Sequence, residues 1–425
     1  MQHQTRFGLF LFCIGLPLGA GTSVFAQADG NSESRESAAA IGETLAFEIK
    51  LQTVLKHDDN RFLWFHPRVA AAPGLGQGRK PAVFMTLQKH LRTSDHYSGL
   101  YVMRSDDLGR TWSEPDLPPQ LDWVKDGKVD VAVADVTPGW HAPTAKMLAV
   151  GAQVRYSAAG EQLEDQQRAH QTAYAVLEPK TGEWIRWQRL EMPAAEQFHF
   201  ARSACAQWLV EPDGSILLPF YIGPDAHKPH SVTVVRCSFD GRRLEYRGHG
   251  NVMRLDVVRG LVEPSLVKFQ GRYYLTLRND LKGYVTVSDD GMDYRAIEPW
   301  AFGDGEELGS YNTQQHWLAH SEALFLVYTR RGAGNDHIMR HRAPLWIAQV
   351  DPRRLRVMRN TEKILVPERG ATLGNFGAAP ITKNESWVTV AEGVWNDEAR
   401  RRGADGSLFV ARVVWSKPNK DLSGN

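Results

Sequence analysis

The sequence predicts an all-β chain arranged as a six-bladed β-propeller, and three observations predict it. Segments with a 3.6-residue apolar period are scarce; what recurs is a short alternating or β-branched run, a Gly/Asp/Pro turn and a second short run. Six such hairpins begin near Ser98, Gln171, Ser231, Gly283, Ala343 and Ser407. Their intervals of roughly 50–75 residues are the self-similarity expected of four-stranded blades set in a circle. Aromatic residues form 10% of the chain and include 13 tryptophans, a richness that suits sheet faces and surfaces on which sugars stack. A large β-sandwich is the competing arrangement.

The individual strands read directly from the pattern. Ser98-Gly-Leu-Tyr-Val-Met-Arg104, Gln171-Thr-Ala-Tyr-Ala-Val-Leu177 and Ser231-Val-Thr-Val-Val-Arg236 are followed by Gly283-Tyr-Val-Thr-Val287, Leu345-Trp-Ile-Ala-Gln-Val350 and Ser407-Leu-Phe-Val-Ala-Arg-Val413. The first leads into Ser105-Asp106-Asp107-Leu108-Gly109-Arg110-Thr111-Trp112, which fits Ser-x-Asp-x-Gly-x-Thr-Trp in full. An Asp side chain accepts turn N–H groups, Gly permits positive φ, and Trp packs the hairpin on its blade. Asp289-Asp290-Gly291-Met292-Asp293-Tyr294 reads as a worn copy with Val287 at the Ser position, and Asp240-Gly241 with Tyr246 as a fainter one.

A chain of 425 residues, 42% apolar and 23% charged, is long enough for one large core and too apolar for general disorder. Lys+Arg total 50 against 49 Asp+Glu. That balance supplies no basic excess for a nucleic-acid backbone or an anionic membrane surface.

Residues 1–26 read as a secretory signal: Arg6 precedes the apolar stretch Phe7 to Leu18, and small-residue cleavage patterns follow. The stretch is too short and too broken by Gly and Pro to span a bilayer. Residues 27–43 read as a flexible lead-in, 44–417 as one propeller domain and 418–425 as a tail, so the expected location is secreted or periplasmic with no membrane insertion after cleavage. Cys205 and Cys237 are left as a disulfide pair or two buried thiols, both open. They lack metal-ligand spacing, so no structural zinc site is expected. No phosphate loop or dinucleotide fingerprint appears; no organic cofactor is expected, and a bound Ca²⁺ stays open.

The Ser-x-Asp-x-Gly-x-Thr-Trp hairpin and its spaced copies resemble the Asp-box of the sialidase (neuraminidase)-like six-bladed propellers, whose sites use scattered residues. By that resemblance Arg68, in Phe65-His66-Pro67-Arg68-Val69, stands for the first-blade arginine, although Pro precedes it. Asp95, between Arg68 and the box, stands for the acid/base. Glu263 and Arg278, fifteen apart, stand for the paired Glu and second arginine, and Arg342 for the third, with Arg340 and Arg331 as rivals. Three guanidinium forks would hold a sugar carboxylate. The resemblance implies an exo-acting glycoside hydrolase that releases a terminal acidic sugar, sialic or uronic, from a glycan.

One departure bears on mechanism. No tyrosine follows Tyr328, so the family's nucleophilic Tyr has no counterpart, and the loop Leu373-Gly-Asn375-Phe376-Gly377 stands nearest its place. Tyr311 is the substitute candidate. Histidines at His66, His141, His199, His316 and His337 lie in polar-aromatic contexts, and His66, His199 and His316 are the substrate-contact candidates. Two further readings follow: a uronate-directed lyase using channel histidines, and a glycan-binding propeller without chemistry.

Overall fold

The computed structural model describes residues 44–92, 95–163 and 171–422, so the expected signal (1–26) and lead-in (27–43) lie outside it. It is an all-β propeller. The N-terminal strand Phe47–Lys56 pairs antiparallel with the C-terminal strand Ser407–Trp415, and Glu385–Ala391 and Phe376–Thr382 complete that sheet. Three more sheets are built from Leu63–Ala72 with Ala82–His90 and Tyr101–Ser105, from Val262–Phe269 with Arg272–Arg278 and Gly283–Ser288, and from His316–His320 with Ala323–Tyr328 and Leu345–Asp351. A ten-stranded sheet covers the remainder, and its two halves join in the strand ladder at the parallel residue pair Ala201–Gln171.

Inner strands of neighbouring sheets meet around the ring. Leu63–Ala72 lies between Val129–His141 and Phe376–Thr382, and His316–His320 lies between Val262–Phe269 and Phe376–Thr382. The circle is completed where Trp208 Nε1 donates to the Thr137 carbonyl at 3.1 Å and Leu266 N donates to the Gln207 carbonyl at 3.0 Å. Sheets stacked on both sides bury both strand faces, so Ala323–Tyr328 is buried throughout and alternation is lost there. Between the closing sheet and its neighbour, Phe325, Val327, Phe376, Val390, Phe409 and Trp415 form one apolar layer.

The Ser105–Trp112 hairpin has the hydrogen bonds its residue types require. Gly109 N donates to Ser105 Oγ at 2.8 Å, and Thr111 donates to both Asp107 oxygens, from N at 2.9 Å and from Oγ1 at 2.7 Å. Gly109 sits at φ +76°, where a Cβ would meet the Trp387 ring at 2.8 Å. In the second copy Ser288, not position 287, takes the serine role. It donates to Asp290 at 2.8 Å and accepts Gly291 N at 2.9 Å, because this turn is one residue shorter. Asp107→Ala should lower stability by about 1 kcal/mol while leaving any activity unchanged, as urea unfolding beside an activity assay will show.

The stretch expected as a tail continues in contact with the fold: Asn419 is buried, accepts Ser321 N at 2.9 Å and donates to the Ala319 carbonyl at 3.1 Å. Among the described residues no helix is long and apolar enough to cross a membrane.

Candidate active site

Several inner segments carry a non-glycine residue in the left-handed region: His66 (φ +52°), Asp135 (+57°), Cys205 (+52°), Glu263 (+44°) and Asn312 (+52°). For His66, Asp135 and Glu263 the strand register shifts at that residue, the mark of a β-bulge. His66 and Glu263 each precede a proline, whose missing N–H suits a bulge. Such backbone costs on the order of 1–3 kcal/mol per residue and re-aims the side chain.

The side chains of His66, Asp135, Cys205 and Glu263 line a cavity of about 880 Å³. Of the residues expected from the sequence, it gathers His66, Asp95, Glu263, Arg278 and Arg342. Asn375, from the loop nearest the absent tyrosine's place, is also on the wall. Arg278 Nη1 donates to Glu263 Oε1 at 2.5 Å, and its Nη2 donates to Asn312 Oδ1 at 3.0 Å. Arg342 Nε donates to the Asn312 carbonyl at 3.2 Å, which brings the two guanidinium groups onto one residue. Asp95 is exposed on the rim, where it accepts Tyr97 Oη at 3.4 Å.

Electrostatics in the cavity follow burial and charge together. Burial works to raise the Glu263 carboxyl, but the charge and hydrogen bond of Arg278, with Arg259 and Arg342 beyond, hold it below its ordinary range. Burial, then the charges of Arg278 and Arg340, push Arg342 down to about 10, still cationic at neutral pH. Burial, then the charge of Arg68, hold His66 well below its ordinary value, so its ring is neutral. Its Nε2 stands 3.1 Å from Asp135 Oδ1. Burial raises the phenols of Tyr97 and Tyr221, both on the wall, and keeps them protonated.

Other candidates lie elsewhere. Arg68 is 1% exposed, donates to the Val136 carbonyl at 3.3 Å and lines a second cavity of about 530 Å³. The bulge at 65–68 gives the cavity-facing place to His66 and turns Arg68 the other way, as a one-residue slip in a strand does. His316 lines that second cavity too, between Ser265 Oγ at 2.8 Å and the Phe376 carbonyl at 3.1 Å. Tyr311 is outside both cavities, bonded to His341 Nδ1 at 2.6 Å, with rival Arg331 stacked on its ring at 4.4 Å. His199 caps the short turn Glu196–Phe198 and lines neither cavity. His141 and His337 are satisfied by Thr144 with Gly214 and by Glu368. Glu392 is clamped bidentately by Arg369 at 2.9 Å, away from the channel.

Asp135, Arg202, Cys205, His230 and Arg259 also stand on the cavity wall, with no motif in the sequence to mark them. Cys205 and Cys237 are free, buried thiols.

His230 packs on Phe200, ring centroids 4.3 Å apart, and among the described residues neither ring nitrogen has a hydrogen-bond partner. Burial, then Arg259 and Arg202, push it down to about 4; Asp225 opposes weakly. The unfolded chain takes up this proton near pH 6.5, so the contribution to stability is full above that pH and is lost as pH falls towards about 4. The melting temperature should therefore fall over this window, and His230→Phe should flatten part of the fall. His66 and His316 act in the same direction.

The sequence matches no protein-family model and is similar to no curated protein. Similarity lies in the fold. The chain superposes on Trypanosoma rangeli sialidase with a TM-score of 0.59 at 13% identity, over 87% of this chain and 60% of that one. On NanB sialidase from Streptococcus pneumoniae the TM-score is 0.55 at 11% identity, over 88% and 71%. On Penicillium chrysogenum alpha-L-arabinanase, complexed with arabinobiose, it is 0.50 at 9% identity, over 88% and 99%.

Proposed function

We propose that the chain is an exported, exo-acting glycoside hydrolase on a six-bladed propeller, which releases a terminal acidic sugar from a glycan. The six-blade count takes the ten-stranded sheet as two blades joined at Ala201–Gln171. The observation that carries the function is the charge of the large cavity. Arg92, Arg202, Lys228, Arg259, Arg278, Arg340 and Arg342 line it against Asp95, Asp135 and Glu263. A concave site with this cationic excess attracts an anionic ligand, and paired guanidinium groups hold a carboxylate.

In this reading Arg278 and Arg342 bind the sugar carboxylate and Asp95 on the rim protonates the leaving oxygen. The amide of Asn375 cannot act as a nucleophile, and the Tyr97 and Tyr221 phenols stay protonated. Glu263, ionised and with Oε2 free of hydrogen-bond partners among the described residues, activates a water, so the product is inverted at the anomeric carbon. Purified protein tested on a panel of terminally acidic oligosaccharides should release the monosaccharide, with inverted configuration in an NMR time course. Binding without release across the panel would leave only a glycan-binding propeller.

A second reading has one observation in its favour: neutral His66 beside Tyr97, ring centroids 4.9 Å apart, is a base next to a phenol. That pair suits β-elimination from a uronate, and the ultraviolet absorbance of an unsaturated product distinguishes it from hydrolysis.

A further inference from the structure

An imidazole, a carboxylate and a thiol meet at the floor of the large cavity: one ligand atom from each of His66, Asp135 and Cys205 lies within 4.8 Å of the other two. They come from three different inner segments, and each occupies a left-handed non-glycine position. Three costly backbone conformations therefore aim three metal-ligating groups at one point. A hydrogen-bonded dyad would need only two of them, and a buried thiol is a weak donor that adds little. Among the described residues, His66 Nδ1 in this cluster and Glu263 Oε2 and Arg278 Nε beside it are buried without a hydrogen-bond partner.

From this geometry we infer that His66, Asp135 and Cys205 bind one zinc-class divalent ion, with its remaining position open to the cavity on the Glu263 side. Imidazole with thiolate selects Zn²⁺ or Co²⁺ over the oxygen-seeking Ca²⁺. Three protein ligands with one open position are the arrangement of reactive rather than purely structural zinc. On binding, the Cys205 S–H bond is replaced by a sulfur–metal bond and the proton passes to solvent, with no change of oxidation state. The ion stands beside the arginines that face an anionic ligand, where it would polarise that ligand or a bound water. The inference is separate from the hydrolase reading, since metal binding is measured without substrate.

The test uses the full chain stripped with chelator and titrated with Co²⁺. The expected result is one Co²⁺ per chain with a near-ultraviolet sulfur-to-cobalt band, displaced by Zn²⁺. Cys237→Ser keeps the band, Cys205→Ser loses it, and His66→Gln weakens binding at least about tenfold. Wild-type protein that binds no Co²⁺, or binds it without the thiolate band, overturns the inference even if a variant fails to fold. A band that survives Cys205→Ser overturns it equally.

Discussion

Arg278→Met should cost about 3–5 kcal/mol of stability, because it leaves the Glu263 carboxylate buried beside the hole of its partner. Arg278 and Glu263 side chains are 8% and 14% exposed, too little for water to replace the lost bond. The double variant Arg278→Met/Glu263→Met should recover most of that loss, since a buried pair exchanged for apolar groups of similar size is often neutral. Activity should be absent from both. Denaturant unfolding of the two single variants and the double gives the coupling between the residues. A single variant as stable as the wild type would show that the pair is solvated. Recovery of stability without recovery of activity separates the fold's need for the pair from the substrate's need for the arginine.

Asp95→Asn should lower kcat by about 10²–10⁴ with KM nearly unchanged. Asp95 is exposed, and its side-chain bond from Tyr97, at 3.4 Å, is long, so the melting temperature should hardly move. The loss should shrink on aryl glycosides with good leaving groups, which need less protonation at the departing oxygen. An equal loss on every leaving group would remove Asp95 from the acid role and leave it as a rim contact.

The parts of this architecture legible in the sequence are those made within one hairpin. The Ser105–Trp112 turn is written in consecutive residues, and Glu263 and Arg278 sit on adjacent antiparallel strands where Val262 faces Arg278. Their spacing therefore carries over directly into space. The cavity floor is different in kind. Asp135, Cys205 and His66 come from separate segments that meet only when the circle forms, so no spacing relates them. Arg68 and His316 were legible as channel residues, but which end of the channel each faces depends on strand parity. At 65–68 a bulge reverses that parity, and the polar-Pro pair His66-Pro67 is its local sign.

The pairing of Phe47–Lys56 with Ser407–Trp415 sets the order of assembly. The clasp joins segments separated by nearly the whole chain, so its entropic cost falls on a single late event that no earlier hairpin can share. A ribosome-bound chain has no way to fasten it, and until the last strand arrives the flanks of Glu385–Ala391 and Phe47–Lys56 stand open to any passing β-edge. Capture of unfinished chains by a holding chaperone would be felt most at this seam.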